Sequence, residues 1–295
     1  MESKGTRRNG YIYSKGTQQG FIRMQRQGIP KPLFSIEDRL YRMLKSKYQQ
    51  IVKKIISDFR EKIKISGITS AVLTIDADSD DAKRIQEEAE KKALLSTAAY
   101  NLESEWEEEP IPDLAFEHRL ADIIMWNREN YAKRLYKDAS PIMQIKIQNF
   151  SIDKNKLYER NLEEIERLYL DNAMARIFGT ENLLKHKFIS KINDYVTGKT
   201  DKLEISTLVE ELNNSAGHMA RFFARDQLAR LNKATTLATF KAAKVTKVKW
   251  VTTHDVRVRD THKKLDGQIF DINYLPPEID DFNCRCGLVP VEYSE

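Results

Sequence analysis

Cysteine is scarce in this sequence: 295 residues contain two, spaced as Cys284-Arg285-Cys286. Two cysteines one residue apart exclude the disulfide framework of a small secreted domain. Long apolar runs are missing as well, and nothing approaches the ~18 consecutive apolar residues of a membrane-spanning helix. The first thirty residues are basic and Gly-containing but lack the apolar stretch of a secretory signal. There is no Gly-rich phosphate loop, no nucleophile motif, no acid pattern of a two-metal nuclease and no repeat of fixed period. Hydrophobic residues at 41% still suffice for a core. At ~100–200 residues per domain the expectation is a charge-rich protein of two domains, made inside the cell and not associated with a membrane.

Charge is plentiful, 49 Lys and Arg against 44 Asp and Glu, and it is sorted along the chain. Residues 1–32 carry seven bases (Lys4, Arg7, Arg8, Lys15, Arg23, Arg26, Lys31) against Glu2 alone. Residues 71–119 carry 14 acids against 5 bases, and residues 241–264 return to 8 bases against Asp255 and Asp260. Such sorting points to basic contacts for a polyanion, separated by an acidic, solvated stretch.

The pattern predicts a mainly α protein: an extended helical body followed by a small C-terminal α+β module with a short β-sheet. Residues 1–34, without a hydrophobic period and closed by Pro30 and Pro32, read as a basic arm that is flexible or ordered by a partner. Residues 35–214 read as the helical body. Ser35 and Asp38 form a capping-box pattern ahead of Leu40, Leu44, Ile51, Ile55, Phe59 and Ile63, an amphipathic helix ending near Ser66-Gly67. Further helices are expected over 80–104, 114–138, 155–178, 181–196 and 204–213, with breaks at Pro110-Ile111-Pro112 and at Gly179. Residues 215–295 read as the module. Ser215 would cap its long helix, which runs through Met219, Phe222, Phe223, Leu228, Leu231, Leu237 and Phe240. Three strands are expected, over 245–253, 268–270 and 284–291, with a turn at Leu265-Asp266-Gly267.

Chemistry-bearing residues concentrate in this module, in the stretch from His254 to His262 and again at Asn283-Cys284-Arg285-Cys286. Three readings compete on the residues alone. Zinc would find donors in His262, Cys284 and Cys286, although Cys-X-Cys is not the usual knuckle spacing. Acid–base or hydrolytic catalysis would draw on His254, Asp255 and His262, with Cys284 as a nucleophile in another version. In the third reading Arg257 and Arg259 pair with Asp255, Asp260, Asp280 or Asp281 to tie short loops together.

The succession of helix 219–243, Lys249-Trp250, Asp255-Val-Arg257-Val-Arg259, His262, Leu265-Asp266-Gly267, Pro276-Pro277 and Asn283-Cys284-Arg285-Cys286 resembles the phage Mu F-like minor head protein family. These are head morphogenesis proteins of tailed phages. The resemblance covers about 215–291. It implies a minor capsid component inside the head near the portal, made in the host cytoplasm, that takes part in head assembly and in delivery of packaged DNA. It marks Trp250, Asp255, Arg257, Arg259, His262, Leu265, Asp266, Gly267, Asp281, Asn283, Cys284, Arg285 and Cys286 as the motif. Other members carry Cys where this chain has Arg259 and His262, and His where it has Asp281, which with the cysteine at 284 makes a zinc site. This chain keeps only Cys284 of those four. The departure implies that zinc is absent, and that an Arg259–Asp281 ion pair with His262 beside Cys284 replaces the cross-link.

The leading expectation is therefore a non-enzymatic minor capsid protein with three kinds of partner: the portal protein, phage genomic DNA bound without sequence preference, and a major capsid or scaffold protein. Phosphate contacts would come from Arg7, Arg8, Lys15, Arg23 and Arg26 in the arm and from Lys241, Lys244, Lys247 and Lys249. Arg221, Arg225 and Lys233 would extend that surface along the last helix. The alternatives are a nuclease or toxin-like enzyme built on His254, Asp255 and His262, and a helical adaptor or scaffold that binds only protein.

Overall fold

The computed structural model describes residues 7–8, 11–12, 22–27, 29–30, 33–65, 81–106, 113–138, 141, 144–145 and 155–294. Five long helices dominate: α1 Phe34–Ile65, α2 Asp81–Glu105, α3 Leu114–Asp138, α4 Asn155–Val196 and α5 Ile205–Ala242. Near the N-terminus β1 Arg7–Arg8 pairs antiparallel with β2 Tyr11–Ile12. After α5 come β3 Val245–Val251, the short helix α6 Asp260–Leu265, β4 Ile269–Asp271, a 3-10 turn Pro277–Asp280 and β5 Gly287–Tyr293. The three C-terminal strands form one antiparallel sheet in the order β4-β3-β5. The protein is thus mainly helical with a small C-terminal sheet.

Two helix breaks expected from the sequence do not occur. Gly179 sits inside α4, which runs unbroken because Ala173, Ile177, Leu184, Phe188 and Ile192 keep the buried phase on both sides of it. A single helical glycine weakens a helix by only ~0.5–1 kcal/mol, which that burial exceeds. Ser215 does not cap α5 either. Its hydroxyl donates to the Glu211 carbonyl one turn back, at 2.8 Å, as a serine does inside a helix. Leu208, Leu212, Ala216, Ala220 and Ala224 carry the buried stripe through at four-residue steps, whereas Phe222 is 53% exposed. At α1 the chain enters the helix through Leu33, whose carbonyl accepts from the Ile36 and Glu37 amides. Asp38 is not a capping partner of Ser35; it pairs with Arg42 at 3.0 Å.

The contacts group the chain into two compact units, whose boundaries at 42/43, 174/175 and 221/222 fall inside helices. One unit comprises residues 43–112 and 175–221. Its interior contains Tyr48, Ile55, Phe59, Leu95, Leu102, Leu184, Phe188 and Leu212, with the rings of Phe59 and Phe188 edge-to-face at 4.9 Å. The Glu107 to Glu109 run and the Pro110 to Pro112 break lie outside the described residues.

The other unit comprises residues 1–42, 113–174 and 222–295. One face of its sheet packs Val245, Val248, Trp250 and Leu288 against Leu135 of α3 and Phe240 of α5, together with Ile272, Ile279, Cys284 and Cys286. Irregular register between Val245 and Val248 breaks strict alternation, so both valines reach this core with Lys247 turned outward. Helix α3 is joined to α5 by a buried Asn127–Asn232 side-chain hydrogen bond of 2.9 Å.

Part of the N-terminal arm, around Met24 and Ile29, is packed. Residues 22–26 form a helical turn, and Met24 and Ile29 are buried with Val251, Phe34, Tyr41 and Val289 on the second face of the sheet. A Cβ built at Gly287 would lie 2.8 Å from the Ile29 side chain, so the strand accepts the arm because this position has no side chain. No hydrophobic period marks the segment because it docks through isolated apolar residues, Met24 and Ile29, not through one continuous amphipathic face.

Candidate functional site

The motif residues converge at the end of the sheet where α6 and the 277–286 loop meet. His262, on α6, is 2% exposed. Its Nε2 lies 2.7 Å from Asp281 Oδ2, and its Nδ1 lies 3.4 Å from each of the Cys284 and Cys286 sulfurs. A carboxylate can only accept, so Nε2 is the nitrogen that carries the proton, and Nδ1 faces the sulfurs. Arg259 Nη1 is 3.5 Å from the same Asp281 oxygen, and its Nη2 donates to the Phe282 carbonyl at 2.7 Å. Trp250 closes the far side, edge-on to the His262 ring at 5.5 Å. One imidazole thereby ties three chain segments together: α6, the loop at Asp281 and the Cys284–Cys286 turn.

Electrostatics follow from this packing. Asp281 is held below the usual carboxylate range, chiefly by the His262 hydrogen bond and then by Arg259. Cys284 is drawn down to about 5, first by the hydrogen bond from the Cys286 thiol and then by the Lys233 ammonium, against the opposing effect of burial. The same sulfur–sulfur hydrogen bond, with burial, pushes the Cys286 thiol up.

Two loops are set by their own side chains. Asp266 accepts the Thr252 amide at 2.7 Å and pairs with His254 at 3.1 Å, which fixes His254 in a left-handed backbone conformation. Gly267, at φ +79°, donates its amide to the Trp250 carbonyl, a conformation in which a side chain would be strained. Asp255, 7% exposed, accepts the Arg257 amide at 3.0 Å and so pins the 255–258 turn. Leu265 packs against the Trp250 core.

Helix α5 supplies supports that the sequence reading did not single out. Asp226 is fully buried; its Oδ1 accepts the Asn283 amide at 2.7 Å and its Oδ2 meets Arg230 at 3.2 Å. Arg230 in turn donates to the Asp280 carbonyl and lies over the Phe282 ring, while Lys233 donates to the Ile279 carbonyl. Arg225 lies 3.5 Å from Glu37, a 5%-exposed carboxylate pushed up by burial although Arg285 and Arg225 attract its charged form. Arg225 and Lys233 are thus internal ties, not a solvated surface. An acid at a core-facing phase of α5, between Phe223 and Leu231, was the available signal for Asp226.

The residues expected to meet phosphate are placed less uniformly. Arg23, Arg26, Lys241 and Lys244 are exposed and Lys249 is half-buried, whereas Lys247 is engaged by Glu292 at 2.6 Å. Lys15 and the side chains of Arg7 and Arg8 lie outside the described residues.

Zinc finds three donors here. His262 Nδ1 and the two sulfurs lie within 4.8 Å of one another and all three residues are buried. A structural zinc site takes four protein ligands. Among the described residues no fourth donor joins the group, and Asp281 faces the other ring nitrogen, where a carboxylate normally orients a ligating imidazole. The residues fill three of the four places; bound there, zinc would supply a further cross-link between α6 and the Cys284–Cys286 turn.

Residues 191–289 match the model of a family described as phage Mu protein F like protein. An uncharacterized protein of Haemophilus influenzae strain Rd is 32% identical over 117 residues, which is 37% of this chain and 26% of that relative. No solved structure matches the chain.

Proposed function

Residues 191–289 being a phage Mu F-like module, we propose that the chain is a minor component of a tailed-phage head, assembling at the portal and contacting packaged DNA without catalysing a reaction. The family match carries this reading, because it supports a bacteriophage head morphogenesis role and a place in the virion. The geometry supports the non-enzymatic part. His254 is engaged by Asp266, Asp255 holds the Arg257 amide, and His262 is enclosed between Asp281 and two sulfurs. Each residue of the enzyme alternative is thereby given a structural task. Among the described residues no helix is long and apolar enough to cross a membrane.

DNA contact would be made through phosphates and without base reading, by Arg23, Arg26, Lys241, Lys244 and Lys249 among the described bases. Binding of the full chain to random-sequence duplex is expected to weaken steeply between low and moderate salt. The log–log slope should be about −0.9 for each phosphate neutralised. Absence of binding at low salt would remove DNA from the proposal. Co-expressed with its portal protein, the chain is expected to elute with the portal ring in size-exclusion chromatography; elution of the two apart at every salt would remove the portal. The interior of the head, beside the portal, is the location this reading gives, with major capsid or scaffold protein as a further neighbour.

A further inference from the structure

A half-open cavity of about 190 Å³ over the His262, Cys284 and Cys286 cluster has four arginines on its wall, Arg225, Arg257, Arg259 and Arg285, with Asp255 and Asn283. This concentration of guanidinium in one concave site is unlike the lysine-rich strand and helix surfaces where solvated bases are common. Its negative neighbours are Asp255, Glu37, Asp281 and the acidified Cys284 thiol. Asp255 is the acid on the wall, and its Oδ1 is committed to the Arg257 amide. Glu37 and Asp281 meet Arg225 and Arg259 at 3.5 Å each, distances at which attraction remains but no close bidentate pair is formed. Arg257 is the least committed. It is exposed, its turn is fixed by Asp255, and among the described residues only its backbone is engaged.

We propose that this cavity binds a phosphate group, with Arg257 as the principal ligand and Arg285 and Arg259 beside it. Guanidinium presents rigid paired donors that match the oxygens of a tetrahedral oxyanion, and several of them converging on one concavity favour phosphate over chloride. The cavity has room for such an anion and some of its hydration, since one water needs only about 10–15 Å³ of such volume. The 255–258 turn, pinned by Asp255, fixes the backbone from which Arg257 reaches the cavity. The phosphate can come from a DNA backbone or end, or from solution. The first source deepens the DNA reading above and rests on it; the site itself does not.

Two arms test the proposal on the full chain. Thermal unfolding is compared in inorganic phosphate and in chloride at equal ionic strength, and affinity is measured for a short duplex with and without terminal phosphates. Phosphate is expected to raise Tm above chloride, because a ligand that binds only the folded state stabilises it. Arg257→Gln should keep the chloride Tm and weaken phosphate binding roughly ten- to hundredfold, the loss of one charge-assisted contact. A loss in the duplex arm too, with a salt slope shallower by about one, assigns the phosphate to DNA. A loss confined to the inorganic arm assigns it to solution. Because phosphate also stabilises proteins by exclusion from their surface, the reading is the difference between parent and variant: an equal rise in Tm from chloride to phosphate in both, with duplex affinity unchanged by Arg257→Gln, overturns the proposal. If that variant lowers the chloride Tm, Arg257→Lys takes its place, keeping the charge without the fork, and is read against the same outcomes. Neutralising Lys241, Lys244 and Lys249 separates the two readings: DNA binding falls while phosphate binding stays.

Discussion

Trp250→Ala is expected to destabilise the sheet-bearing unit by about 3–5 kcal/mol, the range for emptying a fully buried large aromatic site. Trp250 is 0% exposed and stands in the one cluster that joins Phe240 of α5, Leu135 of α3 and the cysteine turn to the sheet. Its removal also takes the edge-on partner from His262, a contact worth about 0.5–1.5 kcal/mol. Whole domains are stable by only ~5–15 kcal/mol, so a change of this size leaves a large unfolded fraction at modest denaturant. Because the chain has two units, one unfolding curve need not be two-state. Amide hydrogen exchange resolved by peptide is the better measurement. Peptides from 245–293 should lose protection while those from 43–65 keep it. Equal protection throughout would show that the cavity collapses without penalty.

Asp226→Ala should follow closely, at about 3–5 kcal/mol, since it removes a fully buried charged acceptor and leaves both the Asn283 amide and the half-buried Arg230 without their carboxylate. The carboxylate serves two segments at once: the Asn283 amide at 2.7 Å and Arg230 at 3.2 Å. Asn283 has φ +54°, a left-handed conformation that Asn adopts more readily than most residues. Asp226→Asn keeps an acceptor of the same shape and should lose less, about 1–3 kcal/mol. The measurement is chemical denaturation alongside exchange of the 277–286 peptide, which should open in the Ala variant before the sheet does. An Ala variant as stable as its parent, with that peptide still protected, would remove Asp226 from the architecture of the site.

The contrast between these two residues shows what the sequence made legible. Trp250 stood in a β-branched run with lysines in alternation, and a turn at Asp266-Gly267 followed it, so local pattern alone located the strand and its buried face. The Arg259, His262, Asp281 and Cys284 grouping was legible because the resemblance to the phage family aligned their spacing, and the structure places all four together. Asp226 was not legible: its role lies in an amide 57 residues away, and a charge on an amphipathic helix gives no sign of which distant amide it meets. The continuity of α4 and α5 was missed for a related reason. Gly179 and Ser215 carry local stop signals, and only burial of the flanking residues outweighs them. Arg225 and Lys233 looked like a solvated basic face until the partners across the fold, Glu37 and the Ile279 carbonyl, were in place.

The close seat of Ile29 on Gly287 bears on how this module travels between proteins. A graft of residues 191–289 alone would leave Val251 and Val289 uncovered on an apolar sheet face, the kind of exposed patch that promotes aggregation. The transferable part is therefore discontinuous, the matched segment plus a short sequence from the opposite end of the chain that carries Met24 and Ile29. Recombination of the module into a new host protein has to bring both pieces, or find another cover for that face.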